Sequence, residues 1–146
     1  MTVIAWDGKT LAADRLATSG GYIKGGATKI FRLDRGSLVG LSGGYDCCMA
    51  LFDWLCGPRN PADWPAAAQS SVEWARAMEI WPGTGSVLFH ERHPHALIIK
   101  MSYYAIGAGA ECAVGAMAMG ASAKQAVEIA IQFINCCGGD VDTLTL

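Results

Sequence analysis

The apolar residues of this chain come first in short runs and only later at helical spacing. Val3 to Trp6 is a compact apolar run, and Asp7-Gly8 after it is a tight-turn pair. Thr10 to Ala13 then reads as the returning strand of a hairpin. Tyr22 to Lys24 and Thr28 to Leu33 read as further short strands around Gly25-Gly26. Ser37 to Ser42 is another, entered from the turn Asp34-Arg35-Gly36. After Gly43-Gly44 the period changes. Cys48, Leu51, Phe52 and Leu55 recur at helical spacing and predict a helix from Tyr45 to Cys56, stopped by Gly57-Pro58. A rigid proline-rich loop follows, with Asp63 as the cap expected for a helix from Pro65 to Arg76. "SVLFHERHPHALIIK" reads as two strands turning near His93-Pro94, and "YYAIGAG" as one more strand. Cys112 to Met119 predicts a helix closed by Gly120. Ser122 and Gln125 have the spacing of a capping box for a last helix to about Asn135. Gly138-Gly139 turns the chain into a final strand, "VDTLTL".

Strands and helices are therefore grouped rather than alternating. That order argues against βαβ units and predicts an α+β fold of antiparallel sheets with helices outside them. The 146 residues suit one domain spanning 1–146. Hydrophobic residues make up 52% and charged ones 16%, an apolar balance that fits either surface covered by other subunits or an interior rich in small residues. The formal charge of −2 and the lack of a basic run exclude nucleic acid as the expected partner. No apolar run approaches the ~20 residues that cross a bilayer, and no basic-then-apolar leader opens the chain, so a cytoplasmic protein without a membrane partner is expected. The six cysteines include two adjacent pairs, a poor disulfide framework, and lack the Cys-x-x-Cys spacing of zinc sites.

Two motifs imitate chemistry. His90, His93 and His95 lie close together, but Pro94 marks a hairpin turn where polar residues are expected. "AIGAGAEC" resembles a dinucleotide-binding turn, yet Cys112 stands at the third glycine position. No metal or cofactor is expected from either. The N-terminal residues fit one reaction better. A threonine hydroxyl needs a base, and an N-terminal threonine carries one in its own α-amine. A lysine would tune that amine, an aspartate would hold the lysine, and a glycine-rich turn would offer N–H groups to an oxyanion. Thr2, Asp14 in "LAADRLAT", Lys29 in "GGATKIFRL" and Gly40 in "LVGLSGG" are the candidates.

These stretches, with "AIGAGAECAVGAMAMG" and "GGDVDTLTL", resemble the proteasome β-subunit and HslV family of N-terminal-nucleophile hydrolases over nearly the whole chain. The resemblance implies a four-layer αββα sandwich. It implies a threonine-type peptidase whose nucleophile is Thr2 after removal of Met1. Asp14, Lys29 and Gly40 take the family's aspartate, lysine and oxyanion positions. Ala17, Ala27, Leu38 and Ser42 would line the first specificity pocket, which favours an apolar side chain. The family assembles into rings, here expected as a homo-oligomer acting on polypeptides, usually fed by an ATP-dependent unfoldase. Three positions depart from the pattern. Ala108 replaces a serine that bonds the terminal amine, and Ile134 replaces an aspartate near the closing glycines, where Cys137 also replaces a serine or threonine. A catalytically impaired ring subunit and an amidase for small amides are the alternative readings.

Overall fold

The computed structural model describes residues 2–19, 21–65 and 74–146. It is an α+β fold of antiparallel sheets and helices. One sheet has the order β10-β1-β2-β11, formed by Tyr104–Gly107, Val3–Trp6, Thr10–Asp14 and Val141–Thr145. The second has the order β5-β6-β7-β8-β9, formed by Ile30–Arg32, Leu38–Gly43, Ala75–Ile80, Val87–His90 and Leu97–Ile99. A ribbon of β3 (Leu16–Ser19) and β4 (Tyr22–Gly26) stands apart from both. The helices are α1 (Tyr45–Cys56), α2 (Ala110–Ala118) and α3 (Ala123–Phe133). No helix among the described residues is long and apolar enough to cross a membrane.

Side-chain alternation explains how the elements stack. Successive residues of a strand face opposite sides. Along β1, Val3 and Ala5 join a cluster with Ala113, Met117, Ala126, Val127 and Ala130 of α2 and α3. Ile4 and Trp6 point the other way, onto Leu38, Met78, Ile80 and Val87 of the second sheet. That sheet's far face, with Val39, Leu41, Ala75 and Ala77, is covered by Leu51, Trp54 and Leu55 of α1. The alanines at the α2 and α3 contacts let these helices lie close to the first sheet. The expected helix Tyr45–Cys56 forms with those bounds, and the N–H of Gly57 closes it on the carbonyls of Asp53 and Trp54. The Ser122–Gln125 capping box is formed in both directions.

The predicted helix from Pro65 to Arg76 needs correction. Residues 66–73 lie outside the described residues, but Ala75 and Arg76 belong to strand β7. Alanine, methionine and glutamate favour helices, yet pairing on both sides by β6 and β8 overrides that preference. Asp63 lies in a short 3₁₀ turn, Pro61–Asp63, capped by Asn60; past Pro65, the start of the helix it is expected to cap lies outside the described residues. Strand β3 was also absent from the sequence pattern.

Glu79 hides the alternation of β7, because this charged residue is fully buried. It accepts bonds from Ser37 Oγ at 2.9 Å and from Arg59 Nη1 and Nη2 at 2.9 and 2.7 Å, and lies 3.1 Å from His90 Nε2. Burial pushes its carboxyl up, but bonds from His90, Arg59 and Ser37 and the Arg59 charge outweigh burial and hold it at about 2, below the ordinary 4.5. A lowered carboxyl stabilises the fold fully above its unfolded value. That contribution, about 3 kcal/mol, drains away as the pH falls from about 4.5 through about 2. Thermal unfolding across this window is expected to show the loss, and Glu79→Gln to flatten it while lowering the melting temperature at neutral pH.

Candidate active site

The antiparallel register of β1 and β2 places Ile4 opposite Ala13, so the next pair toward the chain start is Val3 and Asp14. Asp14 is fully buried and accepts four bonds. Its Oδ1 takes Thr2 Oγ1 at 2.7 Å, Lys29 Nζ at 2.8 Å and the Val3 N–H at 2.9 Å. Its Oδ2 takes the Gly138 N–H at 3.0 Å. One carboxylate thus ties the threonine hydroxyl and the lysine ammonium together. Lys29 is brought in by the approach to β5, where its carbonyl accepts the Leu41 N–H at 2.9 Å. The Lys29 and Asp14 side chains are 11% and 0% exposed, so this ion pair is shielded from water.

The Thr2 backbone is held from the β10 side. Its carbonyl accepts the Gly109 N–H at 3.2 Å. Gly107 has φ +96°, and a Cβ there would lie 2.3 Å from the Thr2 carbonyl oxygen. Only glycine allows both the conformation and the approach. If Thr2 is the nucleophile, Gly107→Ala is expected to lower turnover by ~10²-fold through displacement of Thr2. Steady-state rates at matched folded protein check this. The glycines of "AIGAG" therefore hold the Thr2 backbone.

A cavity of about 160 Å³ opens beside Thr2. Ala17, Ala27 and Ser42 line it, together with Lys29. Leu16 and Thr18 of β3, Phe31, and Tyr45, Cys48 and Met49 of α1 complete much of its wall. These had no signal in the sequence, since no local pattern shows that β3, β5 and α1 meet at one cavity. Leu38 is not at the cavity: it is fully buried in the inter-sheet core. Gly40 is also elsewhere. A Cβ there would sit 2.7 Å from Ile4 Cγ2, so its smallness serves packing between the sheets. Leu41 donates its N–H toward Lys29, so alternation turns the Gly40 amide toward β7, opposite Met78. Gly43 is at the cavity wall and two residues beyond Leu41, so the same alternation turns its N–H toward the Lys29 edge.

Ala108 is exposed between Gly107 and Gly109. Ile134 caps the end of α3 and packs into the helix–sheet cluster. Cys137 is buried, and burial, with the Asp14 charge adding, pushes its thiol up to about 12. Cys48, at the cavity wall, is pushed up to about 12 by burial and by Cys47. Both thiols are protonated at neutral pH and are weak nucleophiles. His90 belongs to the Glu79 network, while His93 and His95 are exposed. Among the described residues no group of three His, Cys, Asp or Glu side chains could hold a metal ion.

A buried Asp–Lys pair binding a threonine at the chain start, inside paired antiparallel sheets, is set in a proteasome-like fold. Comparison with solved structures gives this fold its particular relatives. Thiobacillus denitrificans BPH in complex with epoxomicin is similar over 100% of this chain and 98% of its own, at 21% identity and TM-score 0.73. Thiobacillus denitrificans BPH is similar over 99% and 96%, at 20% identity and TM-score 0.72. Eukaryotic HslV from Trypanosoma brucei is similar over 99% and 98%, at 18% identity and TM-score 0.74. No protein-family model and no curated protein matches the sequence.

Proposed function

We propose that this chain is a peptidase subunit of the proteasome and HslV type, with Thr2 as its nucleophile once Met1 is removed. The observation that carries the reading is the convergence of Thr2 Oγ1 and Lys29 Nζ on the buried Asp14 Oδ1, beside a cavity. The freed α-amine of Thr2 takes the hydroxyl proton as Oγ attacks a peptide carbonyl. The C–N bond breaks as that proton passes to the leaving amine, and an ester to Thr2 remains. Water then adds to the ester and gives its proton to the amine, and the C–Oγ bond breaks as that proton passes to Oγ, which restores the hydroxyl and frees the acid product. Lys29 supplies a positive potential at the amine, and Asp14 positions both Lys29 and the hydroxyl. The Gly43 N–H takes the oxyanion role expected of Gly40, because Gly43 is the glycine at the cavity. Ala17, Ala27 and Ser42 shape a pocket that favours an apolar side chain, and Leu38 takes no part.

The substrate class is polypeptide. Assembly into a homo-oligomeric ring accords with the exposed Tyr22 and Ile23 at the ribbon tip, 79% and 75% exposed, and with Phe133 at 74%. A cytoplasmic setting and feeding by an ATP-dependent unfoldase complete the proposal. Native mass together with hydrolysis of fluorogenic peptides tests it: a ring that cuts them supports it, and a monomer without activity refutes it.

Ala108 favours one second reading, a ring subunit with an impaired site. A serine there would place a hydroxyl beside the Thr2 amine and help move the proton. In a working peptidase, Ala108→Ser is expected to raise turnover, since positioned proton transfer contributes ~10²–10⁴-fold and part of that is recovered. Ala108 is exposed, so the added oxygen has room. Peptide hydrolysis at matched assembly measures the gain. Absence of activity in both forms supports the impaired subunit.

A further inference from the structure

We infer that Trp74, Arg76 and Arg92 form a subsite beside the Thr2 cavity that selects peptide substrates carrying an acidic side chain near the bond to be cut. The inference rests on the peptidase reading and adds a specificity to it. Ser42 lines the cavity and pairs with Arg76 across β6 and β7. Residues directly opposite in an antiparallel pair point to the same face. Gly40 and Met78, the next such pair, face the first sheet, so Arg76 does too. Gly43, also at the cavity wall, lies against the Trp74 carbonyl. The cluster is therefore a direct continuation of the wall, one strand spacing of ~5 Å from Ser42.

Its chemistry is that of an anion site with one place filled. The Arg76 guanidinium lies 5.3 Å from the Trp74 ring centroid and that of Arg92 4.8 Å. The shared ring orders two cations that would otherwise repel and wander. Glu91 Oε1 takes Arg76 Nε at 2.6 Å. Arg92 is exposed and makes no salt bridge among the described residues. Two cations and one carboxylate leave a net positive patch on a chain of charge −2. A carboxylate from an extended peptide completes it. Side chains two residues apart in such a peptide share a face and are separated by ~7 Å. A glutamate two residues from the side chain seated in the cavity thus reaches the cluster.

The test uses fluorescent peptides with a leucine for the cavity and either glutamate or glutamine two residues to each side. Binding to the full chain is read by anisotropy, and cutting is followed in parallel. The glutamate peptide is expected to bind about fivefold more tightly than its glutamine twin, an advantage that fades at high salt. Arg92→Gln is expected to erase the difference, and Glu91→Gln to widen it by freeing Arg76. Melting temperatures confirm that the variants are folded. Equal binding of the two peptides by the wild-type chain, or a preference that survives in Arg92→Gln, overturns the subsite. If both peptides are cut at one rate, the peptidase reading stands and the subsite fails. If the glutamate peptide is preferred in binding and neither is cut, the subsite stands and the peptidase reading fails.

Discussion

Thr2→Ala is expected to abolish peptide hydrolysis, by ~10³-fold or more, while the protein stays folded and assembled. Alanine keeps the backbone whose carbonyl accepts the Gly109 N–H and whose neighbour Val3 bonds Asp14. What disappears is the hydroxyl that donates to Asp14 Oδ1. That oxygen still receives the Val3 N–H and the Lys29 ammonium, so the cost in stability is only about 1 kcal/mol. The loss of rate is of another order, because no covalent ester can form without the oxygen. Thr2→Ser keeps the oxygen and is expected to keep measurable activity. Turnover of a fluorogenic peptide by the three proteins, compared at equal melting temperature and native mass, checks the prediction. Unchanged turnover in Thr2→Ala would remove Thr2 from the mechanism.

Lys29→Ala is expected to damage both activity and stability. It leaves the Asp14 carboxylate fully buried with its cation gone. Breaking a buried ion pair from one side costs about 3–5 kcal/mol, because the remaining charge is uncompensated. The same change removes the positive potential beside the Thr2 amine. Lys29→Arg separates the two effects. Arginine keeps the charge, so most of the stability returns. Its planar guanidinium is longer than the Nζ that meets Asp14 at 2.8 Å, so the cation is misplaced and turnover stays low. Thermal unfolding and steady-state rates of both variants measure this. A folded Lys29→Ala with near wild-type turnover would reduce Lys29 to a structural counter-ion.

The parts of this structure legible in the sequence are those governed by local rules. The Asp7-Gly8 turn, the helix Tyr45–Cys56 and the Ser122–Gln125 box depend on neighbours a few residues away. Thr2, Asp14 and Lys29 could be named because their chemical groups suit one reaction and their motifs resemble one family, and the fold brings the Thr2 hydroxyl and the Lys29 ammonium to the Asp14 carboxylate. Strand β7 was hidden because its identity comes from β6 and β8, not from its own helix-favouring residues. Glu79 added to the disguise, since a buried glutamate reads as a solvent position until Arg59, Ser37 and His90 are seen around it. The two glycines of β6 illustrate the remaining limit. Gly40 and Gly43 differ by three positions, so alternation gives them opposite edges of the strand. Only the bond from Leu41 to Lys29 shows which edge meets the cavity. Leu38 shares the face of Ser42 but lies four residues away from it, inside the inter-sheet core.

The central claim is that Thr2, with its own amine free, is the group that becomes acylated. The most direct measurement is mass spectrometry of the protein acid-quenched during turnover of an activated peptide ester, with fragmentation to locate the acyl group. Cys48 lines the same cavity and is the internal rival for the acyl group. The account predicts a chain that begins at Thr2 and carries the acyl group on the Thr2 hydroxyl. An acyl group on Cys48, or an active chain that retains Met1, would contradict it.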